Sequence, residues 1–344
     1  VLLNLAAWGI GATILNYVKL KMDGLETAVF GTGLGFGVLG LWVFGLGFIG
    51  GFTSAAFWGT MGAATGLTLW RIFFNAKAQR RRGKNLRKSA QSADNNNSPR
   101  PPRSPRLNLP SRGITIYLLI VLGLALILAL LPPIDWDGLF YHLKGPKLYL
   151  AAGRIVGGID IPHLSFPALF EMLFTLAMGL RGDIAAKLLH FSFIPWLMGL
   201  VYLISSRFFA TESTTPVAPA GLQTEPVVAR WGHRPQHRSS GWTAVLVLIS
   251  MPMVLNLGTQ AYNDLPLAFY QVAALVAILR WRQNEQTGWL VLSGVFAGLA
   301  MGLKYTSFVT PLLLASTVIW HFWQQENAAV AGLLTVPPGG TAAQ

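Results

Sequence analysis

Nine apolar runs alternate with polar stretches along the chain, and this pattern predicts a bundle of transmembrane helices. A stretch of about 20 apolar residues crosses a bilayer as an α-helix, because the helical backbone satisfies its own hydrogen bonds. The runs cover residues 1–18, 28–49, 52–74, 114–131, 184–209, 242–257, 265–279, 289–303 and 307–322. The predicted fold class is therefore all-α, a polytopic transmembrane helical bundle with about nine spans.

The second run is rich in glycine, with seven glycines from Gly31 to Gly47. Small residues allow helices to approach closely in lipid, although they weaken a helix in water. A phosphate-binding loop is the alternative, but such a loop follows a strand, and no strand pattern precedes these glycines. We therefore assign residues 1–75 to a glycine-rich N-terminal set of transmembrane helices.

Polar stretches interrupt the apolar pattern, and their charges predict which side of the membrane each loop faces. Residues 76–113 combine a basic run with an Asn, Ser and Pro tract, a composition that buries too little apolar surface to fold. Residues 210–240 contain three arginines. Because basic loops stay in the cytoplasm, we expect both stretches there, the first as a disordered linker. Residues 114–323 then form the transmembrane core, and residues 324–344 form a polar tail.

Composition supports the membrane assignment and limits the function. Hydrophobic residues make up 53% of the 344 residues and charged residues only 11%, too few to coat a soluble globule. The net charge of +13 would suit nucleic acid, but most of it lies in the basic linkers, so we expect no nucleic-acid partner. The chain has no cysteine, which excludes disulfides and thiolate chemistry.

Residues 132–183 follow an outward-running span and are predicted to form a large external loop. The loop is moderately apolar yet carries acids, bases and histidines. Its segments 138–152 and 167–180 have helical, amphipathic patterns, but they are too short and contain too many polar residues to be assigned as membrane spans. We expect them to be interfacial helices that lie along the membrane surface.

Acidic residues mark two places where predicted spans meet external water. Asp135 and Asp137 follow the span that ends at Leu131, and Asp264 lies in a tight turn between two spans. A carboxylate within reach of a hydroxyl can act as a general base, and paired carboxylates can hold a metal ion. The alternative for Asp135 and Asp264 is helix capping, which aspartate favours.

Cationic and aromatic residues follow the first acids and recur near residue 304. The members of this group are Tyr141, His142, Lys144, Lys147, Arg154, Lys304 and Tyr305. External lysines and arginines oppose the usual inside bias of positive charge and suit an anionic ligand such as a phosphate. Headgroup binding is the alternative for the first group, and snorkelling to the interface is the alternative for Lys304.

Four segments together resemble the GT-C glycosyltransferases, closest to the glycosyltransferase family 39-like, polyprenyl-phosphate-dependent branch. The segments are DGLFYHLKGPKLYLAAGRI at 137–155, FPALFEML at 166–173, YNDLPLA at 262–268 and GLAMGLKYT at 298–306. They occur in the order that the family has. Members of this family have further spans, so we expect the chain to be part of a longer protein.

The resemblance implies transfer of a sugar from a polyprenyl-phosphate carrier to an acceptor, with inversion, at the external face of the bacterial inner membrane. The acceptor is a glycan, a lipid or a protein. In this interpretation Asp137 is the general base, with Asp135 next in line, and Asp264 shapes the site. Lys304, with Lys144, Lys147 or Arg154, neutralises the departing phosphate.

The resemblance also implies contacts to substrate from further polar residues. His142, His163 and Glu171 are expected to bind the acceptor or to support the residues that do. Tyr141, Tyr262 and Tyr305 are expected near the substrates. Some members of the fold use a divalent metal ion, and the sequence leaves the metal and any other cofactor open.

Two other functions compete with the transferase. A secondary transporter for an anionic solute would place its ionisable residues near the bilayer midplane, on broken helices. A non-catalytic membrane scaffold would not need Asp137 or Asp264. The position of the acids at one surface favours the enzyme.

Overall fold

The structure is a computed structural model that describes residues 1–18, 20–93, 109–208 and 239–334. Every regular element in these ranges is helical, which confirms the all-α prediction. The longer helices are α1 (Leu2–Val18), α2 (Gly24–Phe48), α3 (Ser54–Ala93), α4 (Arg112–Leu130), α5 (Lys144–Ala152), α6 (Leu169–Arg181), α7 (Asp183–Phe191), α8 (Phe193–Phe208), α9 (Ser239–Ser250), α10 (Pro252–Gly258), α11 (Asp264–Asn284), α12 (Thr287–Leu303) and α13 (Val309–Leu334).

Length and hydropathy single out four membrane-crossing helices in the described ranges: α2, α4, the continuous α7–α8 unit and α11. A fifth crossing results if α9 and α10, which bend by 71° around Met251, form one span. Pro252 lies at the start of α10, where its missing N–H does not break a hydrogen bond. The total of nine spans stays a prediction.

The basic stretch after residue 75 begins as a helix. Helix α3 continues to Ala93, whereas we predicted a disordered linker from residue 76. Its lysines, arginines, alanines and glutamines are good helix formers, so a helix can extend here without an apolar face. Residues 94–108, which hold the Asn, Ser and Pro tract, lie outside the described residues.

The glycines of α2 form a close helix contact. A Cβ added to Gly35 would lie 1.7 Å from the carbonyl oxygen of Ala7, and one added to Gly11 would lie 1.8 Å from that of Gly31. No side chain fits at such distances, so the backbones of α1 and α2 touch at these positions. The glycines therefore serve helix packing, as small residues do in membrane helices.

Helix α6 corrects one prediction. We expected residues 167–180 to form an amphipathic helix on the membrane surface, but all ten residues from Leu169 to Met178 are buried. Helices α2, α5 and α7 pack around it. Glu171, the acidic residue of this segment, is buried with a histidine partner instead of facing water. Helix α5 does have an exposed face, which includes Lys144 and Lys147.

A buried cluster of charged side chains stabilises one end of the bundle. This end is called the opposite end, because the candidate functional site lies at the other end. Glu26, only 1% exposed, accepts hydrogen bonds from Arg207 and from Arg280, the latter at 2.7 Å from Nε. Asp23 binds the other side of Arg207 and forms a capping box with Glu26. The cluster joins α2, α8 and α11, and each charge in it has an opposite partner.

Replacing Glu26 by Gln is expected to lower the free energy of unfolding by about 3 kcal/mol, because two largely buried arginines lose their shared carboxylate. Unfolding of the purified protein in detergent, followed by circular dichroism, measures this change. The matched control is Glu285→Gln, whose side chain is 65% exposed. Equal stability of the two variants would contradict a structural role for the cluster.

Candidate functional site

The other end of the bundle, here called the site end, contains a cavity of about 200 Å³. Its wall comes from a π-helical turn (Gly138–His142), α5, a 3₁₀ turn (Pro162–Ser165), α6 and the residues that flank α11 and α12. Six of the residues singled out from the sequence line this cavity: Tyr141, His142, His163, Glu171, Lys304 and Tyr305. Four chain segments distant in sequence therefore meet at one place.

The turn that begins the site is fixed by Asp135. Its Oδ2 accepts a hydrogen bond of 2.6 Å from the backbone nitrogen of Gly138. A Cβ on Gly138 would lie 2.3 Å from that same oxygen, so a residue with a side chain does not fit there without displacing Asp135. Asp135 thus has the helix-capping geometry that we considered as its alternative role.

A buried polar network lies at the floor of the cavity. The Nδ1 atom of His142 lies 2.7 Å from Oε1 of Glu171, and His142 is 2% exposed. Asn263 donates from Nδ2 to the same oxygen at 3.4 Å and to the carbonyl oxygen of Leu303 at 3.2 Å. The network ties the π-helical turn Gly138–His142 to α6, to the start of α11 and to the end of α12.

Lys304 and Asp264 form an ion pair at the cavity edge. Their Nζ and Oδ1 atoms are 2.8 Å apart, and both side chains are about one-third exposed. Asp264 is the first residue of α11, where the helix dipole favours a negative charge. Its carboxylate binds a lysine across the site, in addition to this favourable position at the helix start.

The three acids surround one tyrosine. Burial, together with the negative charges of Asp135, Asp137 and Asp264, raises the pKa of the Tyr262 hydroxyl to about 12. Burial and the charge of Asp137 likewise raise the pKa of Tyr141. Both hydroxyls therefore stay protonated at neutral pH and can donate hydrogen bonds.

Aromatic rings surround the mouth of the cavity. Tyr141 stacks on His163 with ring centroids 4.7 Å apart, and Phe166 meets Tyr305 edge-on at 5.3 Å. Phe166 and Tyr305 are 42% and 58% exposed, so their faces are accessible from outside. Exposed aromatic faces of this kind suit the apolar faces of sugar rings or the membrane interface.

Three of the predicted phosphate ligands lie outside the cavity wall. Lys147 binds Asp183, with 2.6 Å between Nζ and Oδ2, and its side chain is 45% exposed. Lys144 and Arg154 are exposed on or after α5. Only Lys304 among the four predicted cations lines the cavity.

Two residues with a clear structural role were not among the predicted site residues. Asn263 stood between two predicted residues, but only the fold shows that it reaches Glu171. Lys187, 2% exposed, donates to the carbonyl oxygens of Leu128 and Leu131 at 3.3 and 2.7 Å. Lys187 therefore supplies donors to carbonyl groups at the C-terminal end of α4. Leu131 lies four residues before Asp135. A lone lysine within an apolar helix was the available signal.

No group of three or more His, Asp or Glu side chains in the described residues could hold a metal ion. His142 and Glu171 are near each other, but their contact is a direct hydrogen bond. The acids Asp135 and Asp264 are likewise engaged by a backbone N–H and by a lysine.

The fold and the site define an integral membrane protein with an acidic and cationic cavity at one end of a helical bundle. Residues 190–336 match the family model of the dolichyl-phosphate-mannose-protein mannosyltransferases. This match confirms the resemblance to the GT-C, family 39-like glycosyltransferases and supports a membrane glycosyltransferase with a lipid-linked sugar donor. No curated protein and no solved structure matches the chain.

The matched residues contain only part of the site. They include Tyr262, Asn263, Asp264 and Lys304, whereas residues 135–171 precede them. The hydrogen bonds of Glu171 and Asn263 bring the two parts together.

Replacing Asn263 by Leu is expected to lower the free energy of unfolding by about 1–3 kcal/mol, because Glu171 and the carbonyl of Leu303 each lose a buried donor. The matched control is Asn256→Leu on α10, where the asparagine is exposed. Chemical unfolding in detergent compares the two variants. A stability loss no larger for Asn263→Leu than for the control would show that the network does not hold the segments together.

Proposed function

We propose that this protein transfers a sugar from a polyprenyl-phosphate carrier to an acceptor hydroxyl at the site end. The observation that carries the proposal is the ion pair of Asp264 with Lys304 in the family-matched residues, at the edge of a cavity that Lys304 and Glu171 line. Glycosyl transfer needs a base for the acceptor and a positive charge for the leaving phosphate. Mannose, named in the family description, is the first donor sugar to test.

The proposed reaction is a displacement at the anomeric carbon. The acceptor oxygen forms a bond to this carbon while the bond from the carbon to the phosphate oxygen breaks. The phosphate leaves with the electron pair, and the acceptor proton passes to a carboxylate. The carbon passes through an oxocarbenium-like state, as in other glycosyl chemistry.

Asp137 is the carboxylate that we assign as the base. Within the described residues it makes no hydrogen bond and no ion pair, although it lies close enough to Tyr141 and Tyr262 to raise their pKa values. Asp135 and Asp264 are engaged with Gly138 and Lys304. A carboxylate without a hydrogen-bond or ion-pair partner is free to take the proton of the acceptor, which favours Asp137 over the other two.

Lys304 is the residue that we assign to the departing phosphate. Its ammonium is held by Asp264 and lines the cavity, so its position is fixed before the donor binds. A positioned cation stabilises negative charge that develops in the transition state without reorganising at that moment. Asp264 then acts by holding Lys304, which corresponds to the site-shaping role implied by the resemblance.

The site end is proposed to face the exterior of a bacterial inner membrane. Helix α8, which precedes the arginine-containing stretch 210–240, ends at Phe208 beside the Glu26 cluster at the opposite end. Positive charge is retained in the cytoplasm, which supports this orientation. The acids and Lys304 lie at helix ends instead of the middle of a span, which favours the enzyme over a transporter.

Replacing Asp137 by Asn is expected to reduce transfer by about a hundredfold to ten-thousandfold, because an amide cannot take the acceptor proton. Transfer of radiolabelled mannose from polyprenyl-phosphate mannose in membranes measures this. Asp160→Asn is the matched control, because Asp160 is an exposed aspartate of the same loop. A folded Asp137 variant with wild-type activity would move the base to Asp135. Absence of transfer by the wild-type protein from every donor tested would favour the transporter or the scaffold.

Replacing Lys304 by Met is expected to lower kcat/KM for the lipid-linked donor by about a hundredfold or more, because the leaving phosphate loses its charge partner. The same assay applies, with Lys147→Met as the control, since Lys147 binds Asp183 outside the cavity. Equal effects of the two substitutions would show that the phosphate is not bound where Lys304 lies.

A further inference from the structure

Two buried oxygen atoms beside the cavity accept no hydrogen bond from the described part of the chain. They are Oε2 of Glu171 and Oδ1 of Asn263. Both residues line the cavity, and they are 8% and 4% exposed. A buried acceptor without a donor is unfavourable, and native structures nearly always supply a partner. The pair therefore indicates that donor groups of a ligand complete the site.

The direction of both oxygens follows from their neighbours. The amide nitrogen of Asn263 faces two acceptors, Oε1 of Glu171 and the carbonyl of Leu303, so the amide oxygen must lie on the other side. His142 and Asn263 both approach Oε1 of Glu171, which leaves Oε2 for another donor. Two acceptors are thus held in place by the same network that closes the floor of the cavity.

The chemistry of this pair selects among sugars. A carboxylate and an amide oxygen accept hydrogen bonds, so they bind hydroxyl groups and repel a sugar carboxylate. The cavity of about 200 Å³ is smaller than the pockets of roughly 300–1,000 Å³ that enclose drug-sized ligands, so it suits one monosaccharide unit. Lys304 in the same wall places the phosphate end of a lipid-linked sugar beside it.

We propose that Glu171 and Asn263 bind hydroxyl groups of the transferred sugar and restrict the donor to neutral sugars that keep these hydroxyls. This inference rests on the proposed function, because it assigns a specificity to the same cavity. Glu171 and Asn263 are binding residues in this scheme, and neither takes part in the proton transfer assigned to Asp137.

The test compares polyprenyl-phosphate mannose with its 2-, 3-, 4- and 6-deoxy analogues and with the corresponding uronic acid. For the wild-type protein, we expect at least one deoxy analogue to lose about tenfold to a hundredfold in kcat/KM, because it leaves a buried acceptor without its donor. We expect the uronic acid to be transferred more poorly than any neutral donor.

Glu171→Gln makes the test specific for Glu171. Oε1 of the glutamine can still accept from His142 and Asn263, so its Nε2 takes the place of Oε2 and turns an acceptor into a donor. We expect kcat/KM of the variant for polyprenyl-phosphate mannose to be about tenfold to a hundredfold below that of the wild type. We expect removal of the critical hydroxyl from the donor to lower kcat/KM of the variant by less than a further factor of about three. Glu285→Gln at the opposite end is the control and is expected to behave as the wild type.

The outcomes separate the inference from the function that it rests on. If the wild-type protein transfers mannose and all its deoxy analogues equally well, the sugar-hydroxyl assignment is overturned while the transferase stands. If the uronic acid is transferred as well as mannose, the assignment is also overturned. If no donor is transferred, both fall. The comparison of donors on the wild-type protein needs no variant and holds even if Glu171→Gln fails to fold.

Discussion

The site depends on one buried interaction, the contact of the Glu171 carboxylate with His142 and Asn263. A carboxylate in an apolar bundle is costly unless charge or hydrogen bonds compensate it. Because the two partners come from distant segments, their hydrogen bonds to this one carboxylate bring the turn Gly138–His142 against α11 and α12. Glu171 and Asn263 line the cavity, and one oxygen of each has no donor within the described residues.

The same constraint acts at the other end of the bundle with a different result. Glu26 is compensated completely within the protein by Arg207, Arg280 and the capping box with Asp23. Because every charge in this cluster has a partner within the described part of the protein, the cluster has no free polar group to offer a ligand. At the site end the pairing is incomplete, since Oε2 of Glu171 and Oδ1 of Asn263 have no donor within the described residues. This contrast between closed and open polar clusters is what separates a structural contact from a candidate active site.

The division of the site between two parts of the chain bears on how its chemistry is inferred. The family match covers residues 190–336 and so includes Lys304 and Asp264, the proposed phosphate side. The proposed base Asp137 and the sugar-binding Glu171 precede the matched residues. Their proposed roles therefore rest on their surroundings in the fold: Asp137 lies near Tyr141 and Tyr262, and Glu171 lines the cavity with one buried oxygen that has no donor within the described residues.

The sequence by itself determined the membrane class, the helical content and the family resemblance, because apolar runs, charge placement and short motifs are local properties of the chain. It also found Lys304 and Glu171 through those motifs. The tertiary structure decided which way side chains face: Lys147 binds Asp183, Asp135 caps a turn, and α6 is buried although its sequence pattern predicts a surface helix. These outcomes depend on which neighbours a polar group finds, and such partners come from segments far apart in sequence.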